Sequence, residues 1–192
     1  MRIASESIPV VILAGGKSSR MGSDKTQLPH PKSGLPLLCH QLEMVAGIAG
    51  QTRIVSARTG QVLPPLPAGV IRIDDDGSAG PLGGIMAALS TVTGDHLMVV
   101  AVDLPYMDEE MLLQLVANCS SSHSGVYAQS PTGPEPLVSI VPTKLRPQLE
   151  SALDRGDNSL RRLFTGPLAH VMKPVLFDRP EPFLNWNSPG DI

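Results

Sequence analysis

Arg20 and Lys25 follow closely on a pair of glycines, Gly15-Gly16, and a single carboxylate, Asp103, ends an apolar run far downstream. A planar guanidinium and a compact ammonium both suit phosphate oxygens. A hard carboxylate oxygen suits Mg²⁺, which takes one or two protein carboxylates and fills its shell with substrate phosphates. Paired glycines let the backbone close on a ligand, and successive N–H groups in such a turn make a concavity for anions. These residue types predict a polyphosphate site. The backbone from Leu13 and Ala14 through Gly15 and Gly16 would close on phosphates, Arg20 and Lys25 would meet their oxygens, and Asp103 would carry the metal.

Two common phosphate loops do not fit. Gly16-Lys17-Ser18 lacks the upstream glycine of a P-loop, since position 11 is Val. The pattern Gly-x-Gly-x-x-Gly of a dinucleotide fingerprint is absent. The elements that must position the site are legible. Apolar runs at 8–14, 52–57, 70–74, 96–102, 125–129, 136–142 and 169–175 read as strands, with helical patterns at 36–49, 82–93 and 108–118. Such alternation predicts an α/β fold with a three-layer, Rossmann-like, mostly parallel sheet and helices on both faces. In such sheets ligands lie beyond the carboxyl ends of the strands, where Gly15-Gly16 and Asp103 both fall. Asp108 is the better N-cap for the 108–118 helix, which leaves Asp103 for another task.

Composition narrows the classes. A chain of 192 residues with no linker or repeat reads as one domain over 1–192, and 42% hydrophobic residues can build a core. A net charge of −3 argues against a nucleic-acid binder. No apolar run is long enough for a transmembrane helix, and Met1 to Ser7 lacks a signal-peptide core, so a cytoplasmic protein with no membrane partner is expected. Cys39 and Cys119 form neither a disulfide framework nor a metal-spaced cluster. No two histidines stand in ligand spacing. His40 reads as a surface residue, and Met44, Met86 and Met111 read as core.

Leu13-Ala-Gly-Gly-x-x-x-Arg20-Met-Gly-x-Asp24-Lys25 resembles the signature loop of nucleotidyltransferases, and most of all the molybdenum cofactor guanylyltransferases. The resemblance runs in order from Val11 to Asp191. It implies a nucleotide-diphospho-sugar transferase-like fold and further site residues. Asp103-Leu104-Pro105 matches the family's metal-binding strand end. Gly80-Pro81-Leu82-Gly83-Gly84 matches a helix opening that contacts the nucleoside, and Pro81 suits a first helical turn. One of Asp74 and Asp75 would meet the base, accepting from guanine N1–H and its amine. Asn187, in Asn185-Trp186-Asn187-Ser188-Pro189, would assist at the metal. Ser56 stands where relatives often carry Asn, and Arg161 or Arg162 is a candidate for an acceptor phosphate.

The implied activity is transfer of GMP from GTP to the phosphate of molybdopterin, the molybdenum cofactor, with Mg²⁺ and release of pyrophosphate. Handover to other proteins of cofactor biosynthesis would follow. Cytidylyl transfer, another phosphorylated acceptor, and a catalytically silent nucleotide-binding module are the alternatives.

Overall fold

The computed structural model describes residues 8–15, 24–48 and 52–186. Seven strands form one sheet: β1 Val10–Leu13, β2 Arg53–Arg58, β3 Val70–Asp75, β4 His96–Ala101, β5 Gly125–Ser130, β6 Gly133–Pro142 and β7 Met172–Leu176. Their spatial order is β3-β2-β1-β4-β6-β5-β7, and only β6 runs antiparallel to its neighbours. All seven apolar runs read from the sequence became strands, with ends shifted by a few residues.

Alternation along the central strands sorts side chains onto two cores. Val10 and Ile12 of β1, with Met98 and Val100 of β4, face α1 (Leu37–Met44) and α3 (Glu109–Asn118). Val11, with Leu97 and Val99, faces α2 (Pro81–Leu89), α4 (Arg146–Asp154) and α5 (Leu160–Thr165). A sheet whose central strands are buried on both faces needs such near-continuous apolar runs, and β4 is buried at every position. The result is the three-layer arrangement predicted.

Helix ends follow local chemistry. Asp108 caps α3, its Oδ1 accepting from Met111 N–H at 2.9 Å. Pro81 occupies the first turn of α2, where its missing N–H costs nothing. The 36–49 pattern becomes α1 plus a 3-10 turn at Val45–Gly47. Helix α4 was not read from the sequence. Its buried residues are only Leu149 and Ala152, a stripe too narrow to stand out. Among the described residues no helix is long and apolar enough to cross a membrane.

Strand β1 has β2 on one side and β4 on the other, so the chain's direction of travel across the sheet reverses there. In sheets of this kind ligands bind at such a reversal, beyond the carboxyl ends of the strands, here those of β1 and β4.

Candidate active site

The carboxyl edge of the sheet collects residues from four parallel strands and one hairpin. Gly15 follows β1, Asp75 ends β3, Arg58 ends β2 and Asp103 lies just beyond β4. The β5–β6 hairpin, Ser130 to Gly133, turns at this same edge because β5 runs with β4 and β6 returns against it.

Lys25 and Asp103 meet across the crevice. Lys25 Nζ donates to Asp103 Oδ2 at 3.1 Å, although the residues are far apart in sequence. Both remain partly open to solvent, with side chains 17% and 25% exposed. Lys25 opens a 3-10 turn, Lys25–Gln27, capped by Asp24, whose Oδ1 accepts from Thr26 N–H and Thr26 Oγ–H at 3.0 and 2.7 Å. Asp103 is held from behind by its backbone, its carbonyl accepting from Trp186 N–H at 2.9 Å. His30 fixes the loop that follows, donating from Nε2 to Pro105 O at 2.8 Å while its Nδ1 accepts from Ser33 N–H at 3.1 Å.

His40, read as a surface residue, is half-buried at the surface of α1. It stacks on His30 with ring centroids 3.5 Å apart. Burial, then the neighbouring His30, holds its pKa below the ordinary histidine value.

The two candidate aspartates on β3 separate cleanly, because successive strand residues point to opposite faces. Asp74 is exposed and pairs with Arg72, 2.8 Å away, along the sheet's edge. Asp75 points the other way, toward α2 and the glycine turn. Its Oδ2 accepts from Ser56 Oγ–H at 2.9 Å and its Oδ1 from Gly77 N–H at 2.7 Å. Gly84 in α2 keeps this corner open, since a Cβ there would lie 2.6 Å from Ser56 Oγ and 3.3 Å from Asp75 Oδ2. Gly80 N-caps the same helix with φ of 59°, a conformation that side chains disfavour. Leu82 is buried in the core beneath, so its side chain packs and does not project into the crevice.

Leu13 is half-buried, and Ala14 is buried with its carbonyl facing inward. Gly16, Arg20 and Asn187 lie outside the described residues. Asp76, the third member of the acidic triplet, closes a turn on Ser78 N–H and Oγ–H, which lowers its pKa.

Two residues were missed by sequence reasoning. Arg58 lays its side chain between Gly15 and Gly77, with Cγ 3.5 Å from the position of a Gly15 Cβ and 3.8 Å from that of Gly77. Among the described residues its buried Nε has no hydrogen-bond partner. Gln61 is buried under the carboxyl end of β1 and hydrogen-bonded to Arg58, Ala14 and Asp24. A cation ending β2 was visible in sequence, but only the sheet order brings it to the glycine turn.

On the hairpin side, Arg161 and Arg162 also part company. Arg162 is taken by Asp157, 2.7 Å away. A Cβ on Gly133 would collide with the Arg161 guanidinium, so that arginine lies over the hairpin. Glu135 stands close by, accepting from Ser130 Oγ–H at 2.9 Å. Burial raises its pKa, opposed by the Ser130 hydrogen bond and the Arg161 charge.

Among the described residues no group of three or more His, Cys, Asp or Glu could hold a metal ion. A single hard carboxylate at Asp103 suits a cation that arrives with phosphate ligands, not one caged by protein alone.

A doubly wound, mostly parallel sheet with a lysine–aspartate pair at its switch point defines an α/β protein of the nucleotide-diphospho-sugar transferase fold. Comparison with known proteins narrows this. The chain belongs to the family of the MobA-like NTP transferase domain, which matches residues 10–172. It is 28% identical to a molybdenum cofactor guanylyltransferase of Shewanella piezotolerans, over 95% of this chain and 88% of that one. It is 29% identical to the molybdenum cofactor guanylyltransferase of Pseudomonas fluorescens, over 85% and 83%. The crystal structure of molybdopterin-guanine dinucleotide biosynthesis protein A from Archaeoglobus fulgidus shares the fold, with a TM-score of 0.67 at 23% identity over 96% of this chain and 94% of that chain.

Proposed function

We propose that this protein is a molybdenum cofactor guanylyltransferase, transferring GMP from GTP to the phosphate of molybdopterin with release of pyrophosphate. The observation that carries the reading is the meeting of Lys25 and Asp103 across the switch-point crevice, at 3.1 Å, beside the Gly15 turn. Curated relatives bearing that activity's name, similar over most of the chain, support it.

The chemistry is charge management. A triphosphate and an anionic acceptor repel each other, and charge builds on the departing pyrophosphate. An oxygen of the acceptor phosphate forms a bond to the α-phosphorus, and the α–β bridging P–O bond breaks, its electron pair leaving with pyrophosphate. That phosphate is already ionised near neutral pH, so no strong general base is needed. Lys25 contributes a positive charge to the triphosphate, joined by Arg20 of the signature loop. Arg58, whose side chain lies beside Gly15, is a further cation at the nucleotide's edge. Asp103 would hold Mg²⁺, with Asn187 assisting, and the cation when bound neutralises phosphate oxygens. Lys25 then exchanges its carboxylate partner for phosphate oxygens.

The base falls to Asp75, not Asp74. Its two oxygens are oriented by Ser56 and Gly77 yet keep acceptor capacity, which matches the adjacent N1–H and amine donors of guanine. Cytosine offers only one donor beside a ring acceptor on that edge. Arg161, over the hairpin next to β4's carboxyl end, is the cation for the acceptor. The reaction is assigned to the cytoplasm, with its product handed to other proteins of cofactor biosynthesis.

The test is thermal melting with GTP, CTP, ATP and UTP, each with and without Mg²⁺. A ligand that binds only the folded state raises stability as RT ln(1 + [L]/Kd). A Mg²⁺-dependent shift confined to GTP is expected. A CTP preference moves the substrate to cytidylyl transfer, and GTP binding without pyrophosphate release in the presence of acceptor reduces the protein to a binding module.

A further inference from the structure

The geometry points to Gln61 as the positioning residue of the nucleotide site, setting Lys25 in place through Asp24 from under the carboxyl end of β1. This rests on the guanylyl-transfer reading of the same site. Strand β2 ends in a tight turn, Arg58-Thr59-Gly60-Gln61, closed by Gln61 N–H on Arg58 O at 2.9 Å, with Gly60 at φ of 77°. The turn folds the Gln61 side chain back under the carboxyl end of β1, where the residue is 8% exposed.

Its amide then makes three hydrogen bonds. Oε1 accepts from Arg58 N–H at 2.9 Å, and Nε2 donates to Ala14 O at 3.0 Å and to Asp24 Oδ2 at 2.8 Å. Both N–H groups and one oxygen lone pair are thereby used, so the head group has one orientation. Asp24 spends its other oxygen on Thr26, fixing the turn from which Lys25 reaches Asp103. Gln61 thus ties the ends of β1 and β2 to the residue that precedes the phosphate-binding lysine. It acts on Lys25 through Asp24. An amide is required. A carboxylate would face the Asp24 carboxylate and the Ala14 carbonyl, and a hydrocarbon would leave both acceptors unpaired.

Gln61→Met and Gln61→Glu separate positioning from mere structural support. Calorimetric binding of GTP with Mg²⁺ and pyrophosphate release would be followed from about pH 4.5 to about pH 8.5, a range that extends down to where one member of a like-charged carboxyl pair takes up a proton. Gln61→Met is expected to lose turnover by on the order of 10²-fold at every pH, because a misplaced charge costs about that much. Gln61→Glu is expected to lose as much at high pH and to recover several-fold as pH falls, since one proton shared between the introduced carboxyl and Asp24 remakes a hydrogen bond. A purely structural role would lower melting temperature in both variants without a pH-dependent ratio between them. Deficits that run parallel with pH, or variants within about threefold of wild type, overturn the positioning role alone. Wild-type protein that binds no GTP overturns the guanylyl-transfer reading, and this role with it.

Discussion

Strand β4 carries a polar cluster at each end, and the two are built on opposite principles. At its amino end His96, Cys119 and Ser124 close on one another. His96 Nε2 donates to Ser124 O at 3.0 Å, the Cys119 thiol points to the same carbonyl at 3.4 Å, and sulfur and ring nitrogen lie 3.6 Å apart. His96 and Cys119 are almost fully buried. At its carboxyl end Asp103 meets Lys25 in an ion pair that solvent still reaches. The first cluster satisfies polar groups that the fold would otherwise strand, which is what buried polarity requires. The second leaves charges that a ligand can take over. Polarity alone therefore does not mark a site; polarity whose partners can be exchanged does.

The largest effect is expected at the open end. Asp103→Asn preserves volume but removes the charge, and turnover should fall by about 10²-fold or more, as losing a positioned charge commonly does. Lys25→Met should match it. Neither should shift the melting temperature much, because a partly exposed pair contributes about 0–1 kcal/mol. Steady-state pyrophosphate release and thermal melting on the same preparations check both halves. Variants that melt early yet turn over normally would erase the contrast between the ends of the strand.

The closed end should behave in reverse. His96→Ala removes the stronger of the two donors to the Ser124 carbonyl, leaving it the Cys119 thiol alone, and opens a hole against Cys119, at a cost of about 1–3 kcal/mol. In a chain of this size each kcal/mol lowers the melting temperature by about 2–4 °C. Turnover per folded molecule should not change, which active-site titration against GTP would establish.

The contrast also explains what could be read in advance. The sheet was legible because β4 and its neighbours are apolar on both faces, and Lys25 and Asp103 because each sits in a motif beside a strand end. What escaped was whatever depends on strand order. Asp74 and Asp75 are indistinguishable in sequence. Pairing of Arg58 with Asp75 puts the latter on the face of Ser56, two residues back, and turns Asp74 toward Arg72. Gln61 follows a tight turn among Thr, Gly and Val, and no local pattern says that Ala14 and Asp24 lie within its reach. Helix α4 stayed hidden because it buries only Leu149 and Ala152.

The smallest effect concerns the thiols, and it tests how closed the amino end is. Burial pushes the Cys119 pKa up to about 11. Cys39, on α1, is also raised, by burial and then by Glu43, but it keeps partial access to solvent. The thiolate is the reactive form, so at about pH 8 alkylation of native protein should be confined to Cys39, with Cys119 labelled only after unfolding. The linked stability has a definite sign. Folded Cys119 keeps its proton where an unfolded thiol has lost it, so its contribution is complete below the ordinary thiol pKa. It declines as pH rises from there through about 11. Mass spectrometry of alkylated peptides, with and without denaturant, reads the labelling directly. Ready modification of Cys119 in the native state would mean that this end of β4 opens to solvent, and that the His96–Ser124 bond is not the lock it is taken to be.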